Sequence, residues 1–292
     1  MISLRDDAPV IIFGMHRSGT TVLGNILEAH GMFGGVRKDE NGESVFFQLL
    51  NDWMMTTSGA RWDVPEAIAY MLEDPVTRAL TQDYLRRVLK SPQMMRYFGV
   101  RSMFGWSAPQ RGRYRAWGWK DPRNTFTLPI WETLFPNARF VYVERHGVDV
   151  AKSLLVRRAK ELSAARTKFE RFGPVYGLRL KKGGFSDSVR CSTLENAFSL
   201  WEAYVAQGRA HANRLGPEKA FTVQFEKLCA APRETVGALL RFLGLGDFDS
   251  VSLPSIERLK PGRANAYLKD PVLSAFAEAK AQRLSDPLAR NA

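Results

Sequence analysis

Val10 to Phe13 is a continuous apolar run closed by Pro9 and Gly14. Such a run predicts a strand buried on both faces, as in a parallel sheet. The pattern then changes period: Val22, Leu23, Ile26 and Leu27 fall at helical spacing between Thr21 and His30, and Gly31 supplies a stop. Ser44–Met55 is a strongly apolar helix candidate. Pro75–Leu89 reads as an amphipathic helix with Val76, Leu80, Leu85 and Val88 near one face. Trp117–Trp119 reads as a short strand running into Lys120, and Thr125–Leu134 as a helix followed by a turn at Pro136-Asn137.

Ala138–Val143 (ARFVYV) is a second clear strand, with a helix predicted over Val148–Arg157. Phe169–Ser188 is basic, contains glycine and has no period, so a loop or flexible lid is expected. Leu194–Arg214 reads as a long helix, Phe221–Phe225 as a third strand, and Glu234–Leu243 as a helix closed by Gly244. Lys90–Arg115 is irregular and arginine-rich, and the tail LKPGRANAYLKDP is a basic loop. Strands alternating with helices imply parallel pairing and an α/β architecture, a central parallel sheet flanked by helices. Neither an internal repeat nor a dividing linker is visible, so residues 1–292 are expected to form a single domain.

Composition adds two constraints. The chain has 292 residues, 45% of them apolar, enough for a large core. Its net charge of +12 favours anionic partners: nucleic acid, an anionic membrane, a phosphorylated cofactor or an acidic polymer. Cys191 and Cys229 have no zinc or disulfide spacing, which suggests a reducing compartment. The start MISLRDDAPV lacks the apolar core of a signal peptide, and no run reaches the ~18 apolar residues of a membrane span. A cytoplasmic location is expected.

The candidate chemistry sits between the first strand and helix. GMHRSGTT, Gly14–Thr21, nearly matches the phosphate-binding pattern G-x-x-x-x-G-K-[ST]. Thr20 stands at the lysine position and Arg17 appears three residues earlier. A loop between a buried strand and a helix start presents backbone amides to an anion. His16, Arg17, Ser18, Gly19, Thr20 and Thr21 are therefore the candidate ligands, with the hydroxyls adding donors and Arg17 gripping two oxygens. Without the lysine that neutralises a triphosphate, a phosphosulfate, handled by hydrogen bonds and side-chain cations, fits better than the β,γ end of ATP. In the second strand–loop–helix unit Arg145 ends the strand and Ser153 follows eight residues on. Both are candidates for one phosphate at the carboxyl edge of the sheet.

Together these units resemble sulfotransferases that use 3′-phosphoadenosine 5′-phosphosulfate (PAPS), with a P-loop-like nucleotide-binding fold. GMHRSGTT is similar to their 5′-phosphosulfate loop, in the arginine form of the protein-tyrosine branch, and Arg145 with Ser153 to their 3′-phosphate pair. GWKDPRN (Gly118–Asn124) resembles the family's lysine segment, FTVQFEKLCAAPRETVGALLRFLGL (Phe221–Leu245) its strand–loop–helix near the C-terminus, and LKPGRANAYLKD (Leu259–Asp270) the basic loop closing over the cofactor. The resemblance runs from about Pro9 to about Asp270 and is weakest over 51–115 and 160–190, where acceptor recognition is expected. It implies PAPS as co-substrate, 3′,5′-bisphosphate nucleotide (PAP) as product, no metal, and a hydroxyl acceptor such as a glycan, acidic or not, or another metabolite.

Two departures matter. The small-molecule branch has a histidine base in a K-T-H string, whereas this chain reads Lys120-Asp121-Pro122. That form resembles the branch with a glutamate base, which it supplies shortly after the first helix. Here KDENGESVFF offers Glu43 first, then Glu40, then Asp39. Gly262 and Arg263, after Pro261, match the family's R-K-G string only loosely. The implied catalytic set is Glu43 as base with Lys120 and Arg17 on the leaving group. Phe225 is a candidate for stacking on adenine. His146 reads as a polar loop residue, and His30 and His211 as structural. The rival readings are a P-loop kinase or nucleotide hydrolase and a basic nucleic-acid binder, the latter suggested by the +12 charge and the arginines around Gly99–Arg123, though no nucleic-acid motif appears and Tyr97, Phe98, Phe104 and Trp106 there read as core or acceptor contacts.

Overall fold

Val10, Ile11, Ile12, Phe13 and Gly14 are all buried, because they form a strand, β1 (Val10–Gly14), covered on both faces. The protein is seen in a computed structural model that describes residues 8–100, 114–178, 180–181, 183–257 and 259–285. β1 lies in the middle of a five-stranded parallel sheet with β2 (Met32–Phe33), β3 (Ala116–Lys120), β4 (Arg139–Glu144) and β5 (Ala220–Gln224). The strand order is β2-β3-β1-β4-β5.

Alternation along the strands feeds two packed layers. Val10, Ile12, Val141, Val143 and Val223 join Leu23, Ile26 and Leu27 of α1 (Thr20–Ala29) and Val236, Leu239 and Leu240 of a later helix in one apolar cluster. The neighbouring positions feed the opposite layer. There Phe13 stacks on Tyr142 at 5.2 Å, and Trp119 meets Trp131 at 5.1 Å. Between β2 and β3 the chain forms α2 (Val45–Thr57), α3 (Ile68–Glu73), α4 (Pro75–Lys90) and α5 (Met95–Phe98). α6 (Asn124–Leu134) joins β3 to β4. Beyond β4 lie α7 (Gly147–Phe172), α8 (Leu194–Leu215), α9 (Phe225–Ala230), α10 (Pro232–Leu243), α11 (Leu253–Ile256) and α12 (Pro271–Ser285).

The described residues group into two compact units. One is the chain up to Arg145 with Ala203–Pro261, which contains the whole sheet. The other is His146–Glu202 with the chain from Gly262 onward, which contains α7, the start of α8 and α12.

Several expectations change. The helix predicted to stop at Arg157 continues to Phe172, and a 3₁₀ segment, Gly173–Leu178, follows, so the first half of the expected loop 169–188 is helical. Phe225 does not end a strand: β5 stops at Gln224 and Phe225 begins α9. α4 buries Thr81, Leu85 and Leu89, while Val76 and Leu80 are exposed. The tail loop contains two 3₁₀ turns, Pro261–Arg263 and Ala266–Lys269. Within Lys90–Arg115, read as irregular, the helix α5 forms, and Tyr97 and Phe98 on it are core residues, one of the two roles read for them. Phe104, Trp106 and the rest of 101–113 lie outside the described residues. Among the described residues no helix is long and apolar enough to cross a membrane.

Candidate functional site

The carboxyl ends of β1, β3 and β4 place Gly14, Lys120 and Arg145 at one edge of the sheet, since Ile12 pairs with both Lys120 and Val141. Ligands of open α/β sheets bind at this edge. Gly14 has φ 139, and a Cβ there would sit 2.2 Å from the Val143 carbonyl oxygen. Only glycine lets β1 turn into the loop so close to β4. Gly19 caps α1 in the left-handed region, φ 101, with the Phe225 ring filling the space where a Cβ would go. Arg17 also has positive φ, 68, and is exposed. The first-turn N–H groups of α1, lacking intrahelical partners as in any helix, therefore face the sheet edge.

The hydroxyls of the loop are less available than the sequence suggests. Ser18 Oγ donates to Met15 O at 2.6 Å, inside the loop. Thr21 Oγ1 donates to Asn41 O at 2.8 Å. Both protons brace the fold in this structure. The His16 ring packs near Trp62, centroids 4.7 Å apart, leaving its backbone as the loop's contribution.

Lys120 brings a cation to the loop from β3. Its Nζ donates to Thr21 Oγ1 (3.2 Å), Asn41 O (2.8 Å) and Glu43 Oε1 (3.3 Å). Glu43 is 3% exposed and Lys120 4%. Glu43 is positioned by a tight turn closed by the Lys38–Ser44 bridge. Asp39 organises that turn, accepting from the N–H groups of Asn41 (2.9 Å) and Glu43 (2.7 Å). Glu40 is exposed, and Asp39 is committed to backbone, so of the three carboxylates only Glu43 reaches Lys120. Phe47 stacks on Trp119 at 3.7 Å and 3°, pinning α2 to β3 one residue short of Lys120.

Burial, and next the Asp121 charge, push the Glu43 carboxyl up to about 7, against the downward pull of Lys120 and Arg123. Gln48 Nε2 donates to its Oε2 at 3.2 Å, and Arg123 Nη1 lies 3.6 Å from the same atom. Arg123 also pairs with Asp121 at 3.3 Å and with Asp52 at 3.6 Å; these carboxylates hold its guanidinium charged despite burial. Behind it Asn51 Nδ2 donates to Asp121 Oδ2 (2.9 Å) and Asn124 Oδ1 (2.8 Å). Asp121, Arg123 and Asn51 received no role from the sequence, although for the first two the string KDPRN, dense in polar residues between a strand and a helix, was the available signal; Asp39, the third candidate for the base, instead organises the turn that carries Glu43.

Arg145 is buried and donates from Nη1 to Arg17 O at 3.1 Å, while its guanidinium lies over the Phe225 ring at 4.9 Å. Phe225, Arg145, Gly19 and Arg17 thus form one cluster on the phosphate loop. The remaining candidates belong to the second unit. Ser153 lies on α7, one turn beyond Asp149, and the loop that carries Gly262 and Arg263 is tied to that turn. Asp149 accepts from Tyr267 N at 2.9 Å and Ala266 N at 3.2 Å, and His146 stacks on Tyr267 at 4.1 Å. His30 and His211 are both held in structural hydrogen bonds, and burial pushes His211 down to about 4.

Residues 9–250 match the model of the Sulfotransferase family. Solved structures similar to this chain include a sulfotransferase domain from the curacin biosynthetic pathway, at 16% identity over 96% of this chain and 98% of that one, TM-score 0.49. The sulfotransferase from Alicyclobacillus acidocaldarius is 19% identical over 97% of this chain and 96% of that one, TM-score 0.47. The sulfotransferase domain of the Synechococcus PCC 7002 olefin synthase is 19% identical over 95% and 91%, TM-score 0.45. No curated protein matches the chain significantly.

Proposed function

The chain belongs to the sulfotransferase family, and we propose that it transfers the sulfuryl group of PAPS to an acceptor hydroxyl with Glu43 as general base. The observation that carries this reading is the buried Glu43–Lys120 pair, 3.3 Å apart, against Thr21 of the phosphate loop. A carboxylate poised near neutrality accepts a proton efficiently, and a cation beside it serves the departing oxygen.

The donor set suits a phosphosulfate. The loop amides and Arg17 bind the 5′-phosphosulfate, and Lys120 takes the part that a loop lysine plays for a triphosphate. Arg145 binds the 3′-phosphate, which separates PAPS from adenosine phosphosulfate. The acceptor O–H gives its proton to Glu43 as the oxygen attacks sulfur. The bond from sulfur to the bridging oxygen breaks in line, its electron pair stays on the 5′-phosphate of PAP, and Lys120 and Arg17 stabilise that charge. The acceptor is a glycan or another metabolite bearing a hydroxyl.

Transfer of labelled sulfuryl groups from PAPS across a panel of hydroxyl acceptors tests the reading. The expected result is transfer without added Mg²⁺, lost in Glu43→Gln while PAP still raises the melting temperature of that variant. Near-normal turnover by folded Glu43→Gln overturns the base assignment. An absolute Mg²⁺ requirement with ATP as donor overturns the donor assignment.

A further inference from the structure

The second half of α7 and the segment after it carry exposed apolar side chains in a fixed arrangement. Phe169, Phe172, Val175 and Phe185 are about half exposed or more, and Leu178 and Leu180 are 81% and 95% exposed. The arrangement is built, not slack. Arg157 pairs with Asp187 and, at 2.8 Å, with Glu161, and Asp187 N donates to Glu161 Oε2 at 2.9 Å, so the returning chain is fastened to α7. Phe169 meets Tyr176 edge-on at 5.2 Å, and Lys181 lies over the Phe185 ring at 4.6 Å. Between α7 and the returning chain runs an open groove of about 380 Å³ lined by Leu162, Ala165, Arg166, Phe169 and Phe185. Apolar surface gathered this way on a folded chain marks an interaction site.

Charge identifies the partner. Residues 160–190 contain eight Lys or Arg against three Asp or Glu. Glu161 and Asp187 are paired with Arg157, and Glu170 with Arg166 at 2.8 Å, so the acids are neutralised within the arm. Lys160, Lys168, Arg171 and Lys181 remain as the cationic border of the apolar patch. A second copy of this chain would set cations against cations. An anionic bilayer surface offers both an apolar layer for the patch and opposite charge for its border. We propose that this arm, Leu162–Phe185, docks the protein on anionic membrane surfaces, lying in the interface without crossing it.

Flotation of the full-length chain with phosphatidylcholine vesicles, with and without phosphatidylglycerol, tests this. The expected result is binding only to the phosphatidylglycerol vesicles, weakened by salt. Leu178→Ser with Leu180→Ser should lower the partition coefficient at least about tenfold, and Lys168→Gln with Lys181→Gln should lower it and flatten the salt dependence. These side chains are exposed, so both variants are expected to melt like the wild type. Absence of vesicle binding overturns the proposal. So does binding unchanged by the leucine substitutions, which would be the attraction of a +12 chain through cations elsewhere. Dimerisation seen by light scattering and lost in the leucine variant would assign the patch to a contact between copies and overturn it equally.

Discussion

Glu43 Oε1 lies 3.3 Å from Lys120 Nζ, and both side chains are almost completely buried. The ionised carboxylate is nonetheless the disfavoured form, since burial and the Asp121 charge push its pKa up to about 7. Transfer should therefore rise with pH on an acid limb near 7 in kcat/KM, because the base works only when deprotonated. Glu43→Gln should remove the limb and lower kcat by about 10²–10⁴. A pH–rate profile over both proteins checks this.

The same shift has a consequence for stability. The folded state keeps the Glu43 proton up to about 7, whereas the unfolded chain releases it near the ordinary 4.5. Between these values the native state binds more protons, so this group's contribution falls as pH rises and stays low above 7. Glu43→Gln should therefore stabilise the protein at pH ~8 by on the order of 1–3 kcal/mol and change little near pH ~4. Urea unfolding at the two pH values measures it.

In the proposed mechanism Lys120 acts on the base as well as on the leaving group. It is one of the charges that lowers the Glu43 pKa, so Lys120→Met should move the acid limb of the pH profile upward, above 7. It should also reduce kcat by about 10²–10³ through lost stabilisation of the departing oxygen. A loss of kcat with an unmoved limb would confine Lys120 to the leaving group.

The elements around this pair were legible because each has a strong local signal. VIIFG followed by a glycine-bounded loop allows few other readings, and KDPRN announced the lysine strand end. What escaped depends on contacts that no apolar period reports. α7 continues to Phe172 although residues 158–172 have a weak apolar stripe, supported by Arg157–Glu161 and Arg166–Glu170 pairs one turn apart. α12 follows Asp270-Pro271, whose carboxylate caps the Val272 and Leu273 N–H groups, a start signal hidden inside what read as a loop. The two-residue β2 exists only because β3 pairs with it. The partners of Glu43 were hidden for the same reason: Asp121 and Arg123 matter through distances across the fold, not through spacing.

Asn51 joins four buried groups. Its Nδ2 donates to Asp121 and Asn124, and its Oδ1 accepts from Thr127 Oγ1 and Trp131 Nε1, both at 2.8 Å. Asn51→Leu keeps the volume, orphans Trp131 Nε1 and takes one partner each from Asp121, Asn124 and Thr127, which keep Arg123 Nη1, Trp119 Nε1 and the Arg123 carbonyl. The orphaned indole N–H costs about 1–3 kcal/mol, and the three weakened groups raise the total to roughly 2–4 kcal/mol, not additively within one network. Denaturant unfolding should show this loss with an unchanged slope. A cost under ~1 kcal/mol would mean that water enters and replaces the amide.

Arg145 holds the phosphate loop before any ligand arrives, through its bond to Arg17 O and its contact with Phe225. Binding of PAP should then raise the melting temperature of the wild-type protein by an amount that grows with the logarithm of PAP concentration. Arg145→Ala should abolish most of that increase, because it removes the cation assigned to the 3′-phosphate. Arg145→Lys should restore only part of it, since a point charge cannot bridge the loop carbonyl and a phosphate as the planar fork does. Adenosine 5′-phosphate, which lacks the 3′-phosphate, provides the control: its weaker effect should be nearly the same in wild type and Arg145→Ala. Equal losses for both nucleotides would show that Arg145 serves the loop alone and would remove it from the 3′-phosphate site.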